Sequence, residues 1–251
     1  MKEEKIYFAE SDTPQMLDAF KNAQNTFKYF WRELSWERRR IVPALDLAIV
    51  KVVFNQEVSG GSPLVEYMWI GDIDFDGFRI KGSLMNQPDV LTNVAQGDII
   101  EIIPERIADW MFSTNKKVYG GFTVQLMRSE MDKKSMKQHD KAWGLDFGDP
   151  CKVLLAYEQD KHPENLIEHP MSKNMKESFE NFIKQNPKEL TITDEFGYTL
   201  LHKESIAGNK TIVEILLQMG SDKNVKTTSG YTALDFAQKL QWDHLIEVLK
   251  K

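Results

Sequence analysis

Near its C-terminus the chain repeats itself at a fixed spacing, and that spacing sharply limits how the region can fold. In "DEFGYTLLHKESIAGNKTIVEILLQMGSDKNVK" and the following "TTSGYTALDFAQKLQWDHLIEVLKK", Gly197, Tyr198, Thr199 and Leu201 recur thirty-three residues later as Gly230, Tyr231, Thr232 and Leu234. A unit of this length holds too little apolar surface to fold alone, so consecutive units must stack. Local chemistry fits a two-helix unit. Thr199 caps a short helix running to Ala207, and Gly208-Asn209 supplies the turn. Ile212, Val213, Ile215, Leu216 and Leu217 then give a second helix a broad apolar face, stopped at Gly220. Upstream, "KESFENFIKQNPKELTIT" reads as the second helix and exit of a degraded earlier unit, with Phe179, Phe182 and Ile183 on its apolar face.

On these residues the region 172–251 resembles an ankyrin repeat protein, with "GYTLLHKESIAGN" carrying most of the likeness. Leu200 and Ala233 stand where the repeat usually has proline, and Asp235 stands at the position held in the other repeat by His202. The resemblance implies that His202 hydrogen-bonds between neighbouring turns and is not a catalytic residue. Two repeats plus a partial one are close to the roughly three that a solenoid needs, so the stack is expected to lean on the residues that precede it.

Those residues read differently. In "TPQMLDAFKNAQNTFKYFWRELSWERRR", Pro14 follows the cap candidates Asp12 and Thr13. Met16, Phe20, Ala23, Phe27, Phe30, Trp31 and Leu34 then recur at three- and four-residue spacing, predicting a long amphipathic helix with an aromatic core stripe. The run Arg38 to Arg40 suits the negative end of that helix. After it come β-branched and aromatic runs bounded by turn residues: "ALDLAIVKVVFN", "LVEYMWIGDIDFDG", "FRIKGSLMN", "GDIIEIIP" and "KVYGGFTVQLMR". "DFDG", Asp74 to Gly77, marks a hairpin. "ERIADWMF" and "EMDKKSMKQHDKAW" read as helices, the first on the spacing of Ile107, Trp110 and Met111. The expected class is α+β: an antiparallel curved sheet of about five strands packed by a long N-terminal helix, followed by an all-α ankyrin repeat stack. The expected organisation is a domain over 1–157, a polar linker over 158–171 broken twice by proline, and repeats over 172–251.

Four motifs in order, "EYMWIGDIDFDGFRIKGSLMNQP", "GDIIEIIPERIADWMF", "GGFTVQLMR" and "HDKAWGLDFGDP", make residues 10–157 similar to the YegJ-like bacterial domain of unknown function. The family has no established reaction. Relatives of this kind, like ankyrin proteins, resemble genes lying beside secreted bacterial toxins, which implies an immunity role by association.

Charge and cysteine content narrow the chemistry. From Met171 onward eleven Lys are matched by eleven Asp or Glu, so the net charge of −6 belongs to the first 170 residues. An acidic front region opposes nucleic acid as a ligand and suits a basic protein partner, such as a basic toxin or effector. The single cysteine, Cys151, excludes an internal disulfide and a multi-cysteine metal cage. The opening "MKEEKIYFAESDTP" lacks the apolar core of a signal peptide, and no apolar run reaches the roughly 18 residues of a membrane span. A cytoplasmic protein without membrane association is expected.

One stretch, "HDKAWGLDFGDPCK", has the look of an active site. A thiol hydrolase would use His139 as base, oriented by Asp140, with Cys151 as nucleophile. Neighbouring side chains on a helix diverge by about 100°, which opposes that pairing. Calcium at Asp146 and Asp149 would want alternating oxygen ligands that are missing. The stretch reads better as a shaped loop: Gly144 ends a helix, Trp143 and Leu145 bury an apolar contact, and Asp146, Gly148, Asp149 and Pro150 form turns. The expectation is therefore a non-enzymatic, protein-binding immunity or anti-toxin protein that needs no cofactor or metal. A hydrolase using His139 and Cys151, or a housekeeping ankyrin scaffold, are the alternatives. Candidate contact residues are Glu195, Phe196, Tyr198, Ser229 and Tyr231 at the repeat hairpins. Asp72, Asp74 and Asp76, near Glu66, form a candidate acidic patch.

Overall fold

The computed structural model describes residues 13–251. The cap candidate Asp12 lies outside them. The fold is α+β and forms two compact units. The first takes described residues up to Phe30 together with Val42–Leu155; the second takes Trp31–Ile41 and Ala156–Lys251. Helix α1, Pro14–Glu37, contributes to both, and Thr13 Oγ1 caps its first turn by accepting from Met16 N at 3.2 Å.

In the first unit, β1 (Leu47–Gln56), β2 (Leu64–Phe75), β3 (Ile80–Leu84), β4 (Ile99–Ile102), β5 (Ile107–Thr114) and β6 (Lys117–Gly120) form one sheet in the order β4-β3-β2-β1-β5-β6. Every named pair is antiparallel. Val50 at the centre of β1 faces Ile70 on one side and Trp110 on the other, and all three are fully buried. The α1 stripe packs here. Phe27 meets Phe75 edge-on at 5.3 Å, Phe30 lies 5.9 Å from Trp110, and the Trp110 indole N–H donates to Ala23 O at 2.9 Å.

The antiparallel sheet expected to have about five strands has six. Two expectations about its segments are corrected. "ERIADWMF" is largely strand β5, preceded by a 3-10 turn at Pro104–Arg106. All eight β5 residues are buried, so no polar alternation marks the strand, and its apolar spacing mimics a helix. "KVYGGFTVQLMR" is not one strand: β6 ends at Gly120, and α2, Phe122–Ser129, begins at once. Gly120 and Gly121 both adopt positive φ, and a Cβ on Gly120 would sit 2.2 Å from Trp110 O. Only glycine allows that reversal. The later charged run is helical as read: α3, Lys133–Trp143, is capped by the Asp132 side chain and ends at Gly144 in the left-handed region.

The second unit contains α4 (Pro170–Asn174), α5 (Lys176–Gln185), α6 (Leu200–Ala207), α7 (Lys210–Gln218), α8 (Ala233–Lys239) and α9 (Asp243–Lys250). Its helical repeats have the predicted limits. Thr199 and Thr232 form capping boxes at the starts of α6 and α8, closed by His202 in one and Asp235 in the other. Asp235 therefore takes over the capping role of the histidine it replaces, which explains how the repeat tolerates the change. Leu201, Ile206, Ile212, Val213, Leu216, Phe236 and Leu245 make the core, each at most 2% exposed. Gly208 ends α6 at φ +74, with the Trp242 ring where a Cβ would go. On α5, Ile183 is buried as expected, but Phe182 is exposed.

Trp31–Ile41 joins this unit through polar bonds as well as packing. The buried Arg32 guanidinium donates to the carbonyls of Asn165, Leu166 and Ile167, and Trp36 Nε1 donates to Asn209 Oδ1 at 2.9 Å. Asn209 donates in turn to Glu204 at 2.8 Å, and Glu204 pairs with Arg39 at 2.6 Å. Glu168, within the proline-broken stretch, accepts from Thr211 N at 2.6 Å. It thereby caps α7, which has no side-chain cap of its own. This stretch carries a 3-10 turn at Pro163–Leu166 and buries Asn165, Glu168 and His169.

Candidate functional site

Each repeat hairpin closes in a short turn: Gly197 N donates to Asp194 O and Gly230 N to Thr227 O. Asp194 Oδ1 accepts from Phe196 N at 3.1 Å and Tyr198 N at 2.9 Å, which holds the first tip. The second tip docks beside it: Thr228 N and Thr228 Oγ1 both donate to Phe196 O, at 2.9 and 3.1 Å. Satisfying the backbone this way turns side chains outward. Phe196 is 59% exposed, Ile192 52% and Tyr231 40%. Glu195 and Ser229 are exposed beside them, and Tyr198 is half-buried against Phe236 at 5.5 Å. Four of the five hairpin candidates thus lie on open surface. Ile192, which precedes the repeat motif, is exposed as well.

The acidic candidates separate by role. Asp72, Asp74 and Asp76 are all exposed. Asp76 shapes its hairpin, accepting from Phe78 N and Arg79 N, both at 2.7 Å. Asp72 has φ +52 where the β2–β3 register shifts, so it sits on an irregular strand segment. Glu66 accepts from Asp89 N at 2.9 Å and Val90 N at 3.3 Å, tying down a loop. Asp72 and Asp74 alternate with the buried Gly71, Ile73 and Phe75 along β2.

The His139–Cys151 stretch is organised around a residue outside it. Arg128 on α2, 1% exposed, grips Asp140 with two donors at 2.9 and 2.8 Å and reaches Gly148 O at 3.1 Å. Gln125 donates to Phe147 O at 2.7 Å. Asp146 accepts from Gly148 N and Asp149 from Cys151 N, closing two tight turns. Two expectations change. His139 does reach its neighbour: Nδ1 lies 3.0 Å from Asp140 Oδ1. The ring nitrogen nearest the main chain needs little reach, and Arg128 fixes the carboxylate beside it. Trp143, expected to be buried, lies open at 38% and meets the buried Phe147 edge-on at 6.0 Å, while Leu145 packs against the buried cluster as expected. Cys151 is exposed. Among the described residues, no group of three or more His, Cys, Asp or Glu side chains could hold a metal ion. The geometry makes this a braced loop, with every acid in it serving an arginine or a backbone N–H.

Residues 13–147, more than half the chain, match a bacterial family described as "Uncharacterized protein conserved in bacteria (DUF2314)". The chain belongs to the DUF2314 family. This DUF2314 protein is also 49% identical over 245 residues to a putative ankyrin repeat protein of Neisseria meningitidis serogroup B, spanning 98% of this chain and 96% of that one. Its likeness to the uncharacterized protein YegJ of Escherichia coli is 36% over 59 residues, 24% of this chain and 39% of that protein. A Monkeypox virus ankyrin repeat domain-containing protein is 36% identical over 63 residues, 25% of this chain and 9% of that one. No solved structure matches the chain. The DUF2314 region is thus joined to an ankyrin-like region, as it is in a full-length relative. No helix among the described residues is long and apolar enough to cross a membrane.

Proposed function

We propose that this DUF2314 protein acts by contact, as a bacterial immunity or anti-toxin protein that sequesters a cognate effector by covering its surface. The ankyrin-bearing relatives point to a protein-binding role. The observation that carries the reading furthest is the exposure of Ile192, Phe196 and Tyr231, with the backbone of the Phe196 turn already hydrogen-bonded. Large apolar side chains held in water by an ordered turn represent contact area prepared in advance. Glu195 and Ser229 supply a polar rim, and the net negative charge of the first 170 residues suits a basic partner. Stable sequestration requires on the order of 1,200–2,000 Å² of buried surface, more than these tips provide, so neighbouring first-helix positions are included in the contact.

The test is affinity capture of the tagged full-length chain from its native bacterium, with mass spectrometry of what is retained. A stoichiometric partner encoded beside this gene, lost when Phe196 and Tyr231 are both replaced by serine, is the expected result. Recovery of no stoichiometric protein, or recovery unaffected by the double substitution, sinks the reading.

A further inference from the structure

The first unit holds a buried charge arrangement that the contact reading leaves unused. Asp109 on β5 is fully buried, and four donors meet its two oxygens. Trp110 N and Phe122 N donate to Oδ1 at 2.8 and 2.9 Å, and Thr123 N and Thr123 Oγ1 donate to Oδ2 at 2.8 and 2.6 Å. The carboxylate thus caps α2, whose own cap position is Gly121 and has no side chain to offer. An ionised carboxylate has about four acceptor sites, and here all four are taken without help from a lysine.

Lys51 nevertheless lies opposite Asp109 in the β1–β5 register. Its Nζ donates to Thr123 Oγ1 at 3.1 Å and sits 4.8 Å from the centre of the Trp69 ring. Among the described residues that hydroxyl is its one hydrogen-bond acceptor, whereas an ammonium has three donors to place. Burying an ammonium so poorly supplied with acceptors is unfavourable relative to water. The cost disappears if the group gives up its proton, and the neighbouring atoms provide the route. Lys51 donates to Thr123 Oγ1, and the same hydroxyl donates to Asp109, forming a continuous chain from amine to carboxylate.

We propose that Lys51 is a reactive amine, which captures a small flat aldehyde as an imine while Thr123 and Asp109 take up its proton. Lys51 passes a proton to Thr123 Oγ1 as the threonine's own hydroxyl proton moves to Asp109 Oδ2. The freed nitrogen lone pair bonds to the aldehyde carbon, and the C=O π pair moves onto oxygen. Proton transfer from nitrogen to oxygen gives a carbinolamine. Loss of water then leaves the C=N bond, so one water is released per aldehyde bound and nothing is oxidised or reduced. The Trp69 face beside the amine is the wall against which a flat aldehyde stacks. Lys51 and Trp69 are both half-buried, so solvent reaches part of each residue. Burial works in the same direction, lowering the Lys51 amine below its ordinary value and raising the Asp109 carboxyl above its own.

The test uses the full chain, benzaldehyde as probe, and cyanoborohydride trapping at neutral pH, with peptide mass mapping of every lysine. Lys51 should label at least about tenfold faster than the exposed Lys133 and Lys134. Thr123→Val should remove that advantage, whereas Thr123→Ser, which keeps the hydroxyl, should retain it. Lys51→Arg should abolish labelling at this position. Labelling of Lys51 no faster than of Lys134 overturns the proposal, as does an advantage undiminished in Thr123→Val. If Thr123→Val unfolds the chain, the serine variant decides: a folded Thr123→Ser protein without fast labelling refutes the relay.

Discussion

Mild acid should loosen the second unit before the first. Two of its buried histidines, His169 and His202, have both ring nitrogens committed as neutral imidazoles. His169 Nδ1 accepts from Met171 N at 3.0 Å, and its Nε2 donates to Glu33 at 2.9 Å. His202 Nδ1 accepts from Thr199 N at 3.0 Å, and its Nε2 donates to Val225 O at 3.1 Å. A second proton on either ring would face a backbone N–H across the same gap. Burial holds both below the ordinary 6.5. The folded chain therefore gains these protons at lower pH than the unfolded chain. Stability is unaffected well above the ordinary value and falls as pH drops through it. The loss approaches about 1.4 kcal/mol per histidine per pH unit. At a pH about one unit below that value, the pair costs up to about 3 kcal/mol, a large part of the 5–15 kcal/mol typical of a domain. His244, also lowered by burial, adds in the same direction. Glu33 remains ionised in this window: burial would raise its carboxyl, but His169 and Arg40 hold it below 4.5. Urea unfolding followed by peptide-resolved hydrogen exchange, at pH values either side of the window, separates residues 156–251 from 42–155. The reasoning fails if the second unit keeps its stability in mild acid, or if replacing His202 with asparagine leaves the pH slope unchanged.

The remaining predictions concern single side chains. Gly208→Ala meets both a left-handed backbone and the Trp242 ring 2.5 Å away, and should cost about 2–4 kcal/mol in urea unfolding. Gly148→Ala has the same backbone sign but open space around it, and should cost only about 1 kcal/mol. Arg128→Met strands Asp140 and the Gly148 carbonyl and should destabilise the first unit by about 3–5 kcal/mol, whereas His139→Ala should change it by less than about 1 kcal/mol. Serine at both Phe196 and Tyr231 should leave stability within about 0.5 kcal/mol of the parent while abolishing partner capture.

Features that depend on a few consecutive residues could be read directly. The repeat spacing, the Thr199 and Thr232 caps, the Gly208 and Gly144 stops and the aromatic stripe of α1 are all local, because helix capping and amphipathicity act within one or two turns. The same locality explains the errors. Ile107, Trp110 and Met111 suit either period once a strand is buried on both sides, and only pairing with Leu47–Val52 makes β5 a strand. Likewise, nothing near Thr123 announces Asp109 as the cap of α2, fourteen residues away. Glu168 caps α7 from a stretch whose prolines suggested a bare linker.

The amino-acid order by itself determined which segments are helical repeats, where they start and stop, and which apolar faces must be covered. The tertiary structure alone decided which charges meet: Arg128 with Asp140, Glu33 with His169, and Lys51 with Thr123 and Asp109. Ionic and hydrogen-bonded contacts fall off within a few ångströms, so they exist only after chain reversal and strand register have brought distant residues together.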